Sequence, residues 1–229
     1  MTVPADQPGW QLHHSKLCPF SRTVRLSLSE RGLAYELIEA VPADRIAAMR
    51  LGRDSRIPAL YDTSRSLRLI GSYSICEFLE EAALGKSLML GSAEQRAETR
   101  RLVAWAGDCV YEQVISQALR KQLPGREIRQ PTVDKEPVTT TAKVESFLDE
   151  IDMLLDRRRW LAGPTLGLAD LAMAAHVSVA DYLGVINWSG HQQAQTWYSV
   201  IKSRRSFQPL LADRVDGITP TEHYSKIDT

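Results

Sequence analysis

Residues 16–22 read KLCPFSR. A cysteine is followed at once by proline, then by an aromatic residue and a serine. Upstream, residues 10–15 (WQLHHS) alternate enough for a short strand. Downstream, residues 18–31 set Val24, Leu26 and Leu28 among Arg22, Arg25 and Glu30, which predicts a helix packed on one side. Cys18 therefore falls where a strand hands over to a helix. Pro19 suits the first helical position, because its missing N–H would be unpaired there anyway. A thiol at that point faces unpaired backbone N–H groups and the positive end of the helix dipole. Its pKa is expected below the free value of about 8.5. Ser21 adds a hydroxyl one turn on, and Arg22 and Arg25 add positive charge. With no second cysteine, CPFS cannot close an internal disulfide; redox chemistry would run through a mixed disulfide with an outside thiol. Cys18 and Ser21 are the candidate catalytic residues. The competing reading is a small residue in a turn.

Outward from this point, Gly32 is a natural helix stop. Residues 35–40 (YELIEA) predict a second strand, and residues 42–52 a helix that opens on proline and ends at glycine. Residues 57–62 (IPALYD) and 66–71 (SLRLIG) predict a hairpin, and residues 72–82 a helix with Ile75, Phe78 and Leu79 on one face. The order β-α-β-α-β-β-α makes a small mixed sheet with helices against it. An X–Pro bond such as Ile57–Pro58 can be cis, and a bend there would leave the backbone of Ile57 to pair with a bound peptide. From Ser92 onward the pattern is helical. Ser92 and Gln95 form a capping box, followed by a helix to about residue 122. A polar loop spans 123–137, and further helices are predicted over 138–158, 168–184 and 192–204. The domains are thus 10–83 (mixed α/β) and 92–210 (all-helical). The tail, 211–229, is interrupted by Gly217 and Pro220 but keeps Val215, Ile218 and Tyr224. A disordered tail would be poorer in apolar residues, so this one is expected to pack on the body.

Lys and Arg total 28, as do Asp and Glu, so the formal net charge is zero and no basic excess argues for nucleic acid. No apolar run approaches the roughly 18 residues of a membrane helix, so no membrane insertion is expected. Three cysteines are no disulfide framework, and the start of the chain lacks a secretion pattern, so a reduced cytoplasmic protein is expected. His13 and His14 are adjacent and would point to opposite faces of a strand; with no cluster of zinc spacing, no metal site is expected.

The strand followed by CPFS and a helix, RIPAL (56–60), SYSICEFLEE (72–81) and the helical stretch WLAGPTLGLADLAMAAHVSVADYL (160–183) together resemble the cytosolic glutathione transferase superfamily. That resemblance implies a thioredoxin-like N-terminal domain and an all-α C-terminal domain. It implies that Cys18 activates or holds the glutathione sulfur, with Phe20 in the same binding segment. Ile57, before a cis-Pro58, would pair with the tripeptide backbone, and Ser72 would hold the γ-glutamyl end. Asp170 would belong to a buried capping motif. No cofactor is required under this reading, and glutathione would be a substrate.

Two departures weaken the match at the site. The family pattern sets an acidic residue before the serine, and here that residue is Gly71. Losing a charge-assisted hydrogen bond costs about 1.5–3 kcal/mol, roughly a 10- to 150-fold loss of affinity. Gly71 has a bland reading too, as a residue that eases a strand-to-helix turn. The capping position three residues before Asp170 is Gly167 instead of Ser or Thr, a weaker cap by a few tenths of a kcal/mol. The ending, with DRRRWLAG (156–163), WYSVIKSR (197–204) and the long tail, resembles one branch of the superfamily, that of the alphaproteobacterial FtsZ-localised protein A. That branch implies a homodimer at the division site that binds FtsZ and supports constriction, with weak or no glutathione chemistry. Tyr224 and Asp228 are then the candidate partner-binding residues. The branch tends to carry a tryptophan near residues 41–45, and none is present here. The alternative is a cysteine-type glutathione S-transferase or thiol transferase using Cys18.

Overall fold

The computed structural model describes residues 9–40, 57–122 and 140–225. The chain divides into two compact units, Met1–Leu88 and Met89–Thr229. The helix expected over 42–52 and the loop over 123–137 lie outside the described residues.

In the first unit the described strands are β1 (Trp10–His14), β2 (Glu36–Glu39), β3 (Ala59–Asp62) and β4 (Leu67–Ile70), joined in one sheet of order β2-β1-β3-β4. β1 runs parallel to β2, as a strand–helix–strand crossover requires, and antiparallel to β3; the β3–β4 hairpin is antiparallel. Leu12 faces Leu60 across β1 and β3, and both are fully buried. Helix α1 (Pro19–Glu30) packs on α2 (Ser72–Glu81). Its burial departs from the one-sided packing that the arginines imply: every residue from Pro19 to Leu28 but Phe20 is buried, Arg22 and Arg25 included. Backbone carbonyls make this tolerable for Arg22, whose Nε donates to Lys16 O at 2.7 Å. A third buried arginine, Arg31, donates to the carbonyls of Leu79, Leu84 and Lys86 at 3.1–3.3 Å and pairs with Glu80. It ties the end of α1 to the end of α2.

The second unit is helical in its described residues. Ser92 caps α3 (Ala93–Trp105) in the expected box: its N–H donates to Gln95 Oε1 at 2.9 Å, and Gln95 N–H donates to its hydroxyl at 3.4 Å. The helix then widens into a π-helical segment, Ala106–Ile115, before resuming as α4 (Ser116–Gln122). Next come α5 (Thr140–Leu155), α6 (Leu168–Tyr182), α7 (Gln192–Lys202) and a single turn, α8 (Gln208–Leu211), with proline in its first turn. α6 is buried at every residue, which fits its apolar composition. α3 and the π segment pack against it, and α7 packs on both α5 and α6.

Asp170, fully buried, starts this central helix. Its Oδ2 accepts from the Gly167 N–H at 3.1 Å. Its Oδ1 accepts from the Leu161 N–H at 2.8 Å and from the Trp197 indole N–H at 3.0 Å. One carboxylate thus joins the loop before α6, the start of α6 and α7. The side-chain half of the cap that Gly167 cannot supply is missing, while the reciprocal bond from Asp170 is present. Burial pushes the Asp170 carboxyl up to about 6, against the pull of its three donors. Asp170→Ala would strand three buried donors, at a cost of about 3 kcal/mol or more, measured by denaturant melts at pH 7. Because the folded pKa lies above the ordinary aspartate value, this group's share of stability rises as pH falls through about 6. The wild type's advantage over Asp170→Ala should therefore widen between pH 7 and pH 5.

Candidate functional site

Strand register brings the candidate residues of the first unit to one end of the sheet. β1 ends at His14, and the chain turns through residues 15–17 into α1. β3 runs antiparallel to β1 and begins at Ala59 opposite His13, so Ile57 and Pro58 lie at the same end as Cys18. β4 ends at Ile70 opposite Ala59, which brings Gly71 and Ser72 there too. The Ile57–Pro58 bond is cis, and Pro58 O accepts from the Gly71 N–H at 2.9 Å.

Cys18 is the residue that flanks α1 at its start, with extended backbone (φ −88°, ψ 112°). Its N–H donates to Ser15 O at 3.1 Å and its carbonyl accepts from Arg22 N–H at 3.0 Å. Ser21 is fully buried, and its hydroxyl accepts from the Ser15 N–H at 3.3 Å, closing the turn from inside. The Cys18 side chain makes no capping hydrogen bond of its own. Burial pushes its thiol up; the Ser21 hydroxyl, the N–H groups of Ser21 and Phe20 and the Arg22 charge pull the other way without cancelling it. The lowered pKa expected from the helix terminus is thus corrected. The dipole and N–H donors are in place, but taking the thiolate out of water costs more than they return.

Gly71 flanks α2 with φ +89° and ψ 140°, a conformation L-residues rarely adopt. An added Cβ would meet only Ser74 Oγ, at 3.6 Å, so the constraint lies in the backbone and not in space. Ser72, half-buried, is the first residue of α2. A residue the sequence reading passed over, Ser74, stabilises the turn: its hydroxyl donates to the carbonyls of Ile70 and, at 3.1 Å, Gly71. A serine three residues after a glycine is its only sequence signal.

In the second unit, Tyr224, expected to bind a partner, is fully buried, its ring edge-on to Tyr182 at 5.0 Å and its hydroxyl donating to Leu210 O at 3.0 Å. Asp228 lies outside the described residues. Among the described residues, no group of three or more His, Cys, Asp or Glu side chains is placed to hold a metal ion. His176 is buried within α6, its Nδ1 2.8 Å from Ala172 O, and burial lowers its pKa to about 4, so it is a neutral core residue. No described helix is long and apolar enough to cross a membrane.

The family model for the glutathione S-transferase N-terminal domain matches residues 12–87. FtsZ-localized protein A of Caulobacter vibrioides is 35% identical over 224 residues, covering 95% of this chain and 97% of that protein. A glutathione S-transferase from Rhodospirillum rubrum F11 superposes with a TM-score of 0.87 at 37% identity, covering 96% of this chain and all of that one. FzlA from C. crescentus superposes equally well, with a TM-score of 0.87 at 34% identity, over 96% of this chain and 99% of that one.

The raised thiol predicts that alkylation of Cys18 by iodoacetamide, followed on its own peptide by mass spectrometry, keeps accelerating through pH ~9. Ser21→Ala should slow it at pH 7. A plateau below pH ~7.5 would show that the thiolate is stabilised after all. Gly71→Ala should cost about 1–3 kcal/mol in a denaturant melt through its backbone conformation alone; a neutral result would mean the turn relaxes freely.

Proposed function

Because the chain belongs to the glutathione S-transferase family, in the branch that includes FtsZ-localized protein A, we propose that it is a cell-division protein that binds FtsZ filaments and supports constriction, with weak or no glutathione chemistry. In this reading it acts as a cytoplasmic homodimer at the division site. The observation that carries the reading is likeness to FtsZ-localized protein A along 95% of the chain. Two features of the first unit support it. Gly71 stands where the family sets a carboxylate for the γ-glutamyl ammonium, and its positive φ suits glycine and strains a side chain. The Cys18 thiol is pushed up by burial, whereas a thiol transferase gains from a thiolate.

A second reading keeps a specific observation on its side. Cys18, Ser21, Pro58 and Ser72 share one end of the sheet, with donors for a sulfur anion at the start of α1. That arrangement supports a glutathione S-transferase or thiol transferase in which Cys18 holds or attacks the glutathione sulfur, and the Rhodospirillum rubrum relative carries the transferase name.

One preparation separates the two. The protein at micromolar concentration should co-sediment with FtsZ polymers and change their bundling, while calorimetry with millimolar glutathione gives little heat. Unchanged pelleting would remove the division reading. Saturable glutathione binding in the micromolar range, with turnover lost in Cys18→Ala, would install the enzyme in its place.

A further inference from the structure

The tail of the second unit is held by a polar cluster centred on Asp181. That carboxylate is fully buried in the last turn of α6, where the carbonyl end of the helix dipole is already negative. A buried anion there needs positive partners. One is Lys202, the last residue of α7, buried with its Nζ 3.9 Å from Asp181 Oδ2. The Tyr198 hydroxyl donates to the same oxygen at 3.2 Å. A further contact comes from the tail: His223 Nε2 lies 2.7 Å from Asp181 Oδ1. The tail reinforces this contact twice, since Thr221 Oγ1 donates to Asp181 O at 3.1 Å and Lys202 Nζ donates to His223 O at 3.1 Å. Burial pushes the Asp181 carboxyl up even so, against the pull of Lys202 and His223.

Thr, His and Asp side chains in one cluster raise the question of a catalytic relay, and the geometry answers it. Thr221 Oγ1 and Asp181 Oδ1 both approach the same imidazole nitrogen, Nε2, at 3.3 and 2.7 Å. A relay needs one nitrogen for each. The cluster holds structure together instead.

Beneath the tail lie apolar surfaces and backbone groups that it satisfies. The Tyr182 hydroxyl accepts from the Val215 N–H at 3.2 Å and donates to Ile218 O at 3.3 Å. The Tyr224 ring covers Tyr182, and Leu210 and Leu211 are buried nearby in sequence to the Tyr224 anchor on Leu210 O. The His223 side chain, 44% exposed, is the part of the fastening that solvent reaches.

We propose that residues 213–225 form a releasable strap latched at Asp181 by His223, and that opening the latch uncovers the Tyr182 face of α6. Among these fastenings the His223–Asp181 contact joins a buried acid to a tail side chain that solvent reaches, so a change at His223 can loosen the strap without altering any residue of α6.

Amide hydrogen exchange on the full chain tests this. In His223→Ala the amides of Val215, Ile218 and Tyr224 should exchange about tenfold faster, with α6 amides unchanged and an apolar dye newly bound. Asp181→Asn, which keeps an acceptor but loses the charge, should fall between His223→Ala and wild type; should it fail to fold, His223→Ala alone decides the matter. Tail exchange within twofold of wild type in His223→Ala would overturn the proposal. So would equal acceleration across α6, which would make the cluster part of the global fold.

Discussion

The pairing of β1 with β3 is the constraint on which the first unit rests. With Leu12 opposite Leu60 in the core, His13 must face Ala59, and a slip of one residue in β1 would turn Leu12 away from the core face that Leu60 keeps. Once that register is set, the chain after β1 and the chain before β3 meet at one end of the sheet, and the hairpin to β4 returns Gly71 to the same place. Cys18, Pro58 and Ser72 are neighbours in the fold for this reason alone. In the second unit Asp170 plays the corresponding part, since one buried carboxylate sets the start of α6 against α7.

The two units depart from family expectation by the same kind of trade. Gly71 gives up a carboxylate and gains a backbone conformation; Gly167 gives up a side-chain cap while Asp170 keeps the reciprocal bond. At Gly71 the loss falls on a ligand's charged ammonium, where it matters most in free energy. At Gly167 it falls on a cap that three other donors and acceptors around Asp170 already support, so the fold is little affected. A chain with these substitutions can hold the architecture.

Much of this was legible in the sequence because it is local. Strand alternation, Pro19 after Cys18, the Ser92–Gln95 box and the glycine at 71 each act within a few residues, and apart from the unpredicted turn α8 the described elements fall within three residues of the predicted bounds. What was not legible depends on distance. The burial that turns the Cys18 thiol upward comes from the surrounding fold, while the dipole argument sees only the helix that follows. Trp197 reads as core from its neighbours; its bond to Asp170 spans 27 positions. Arg22 and Arg25 read only as positive charge near Cys18, because sequence does not show the carbonyl that receives Arg22. The π-helical segment changes the helical repeat over ten residues, too few for the apolar pattern to register. Tyr224 reads as an available aromatic until Tyr182 is seen beneath it.

Under the division reading the molecule works through its outer surface and not through the sulfur of residue 18. Co-sedimentation of Cys18→Ser with FtsZ polymers tests this directly. The variant is predicted to pellet with the polymers to the same extent as the unsubstituted protein, with the same change in filament bundling. Loss of pelleting in a variant whose thermal melt is unchanged would contradict it, because the thiol would then be part of whatever the protein does.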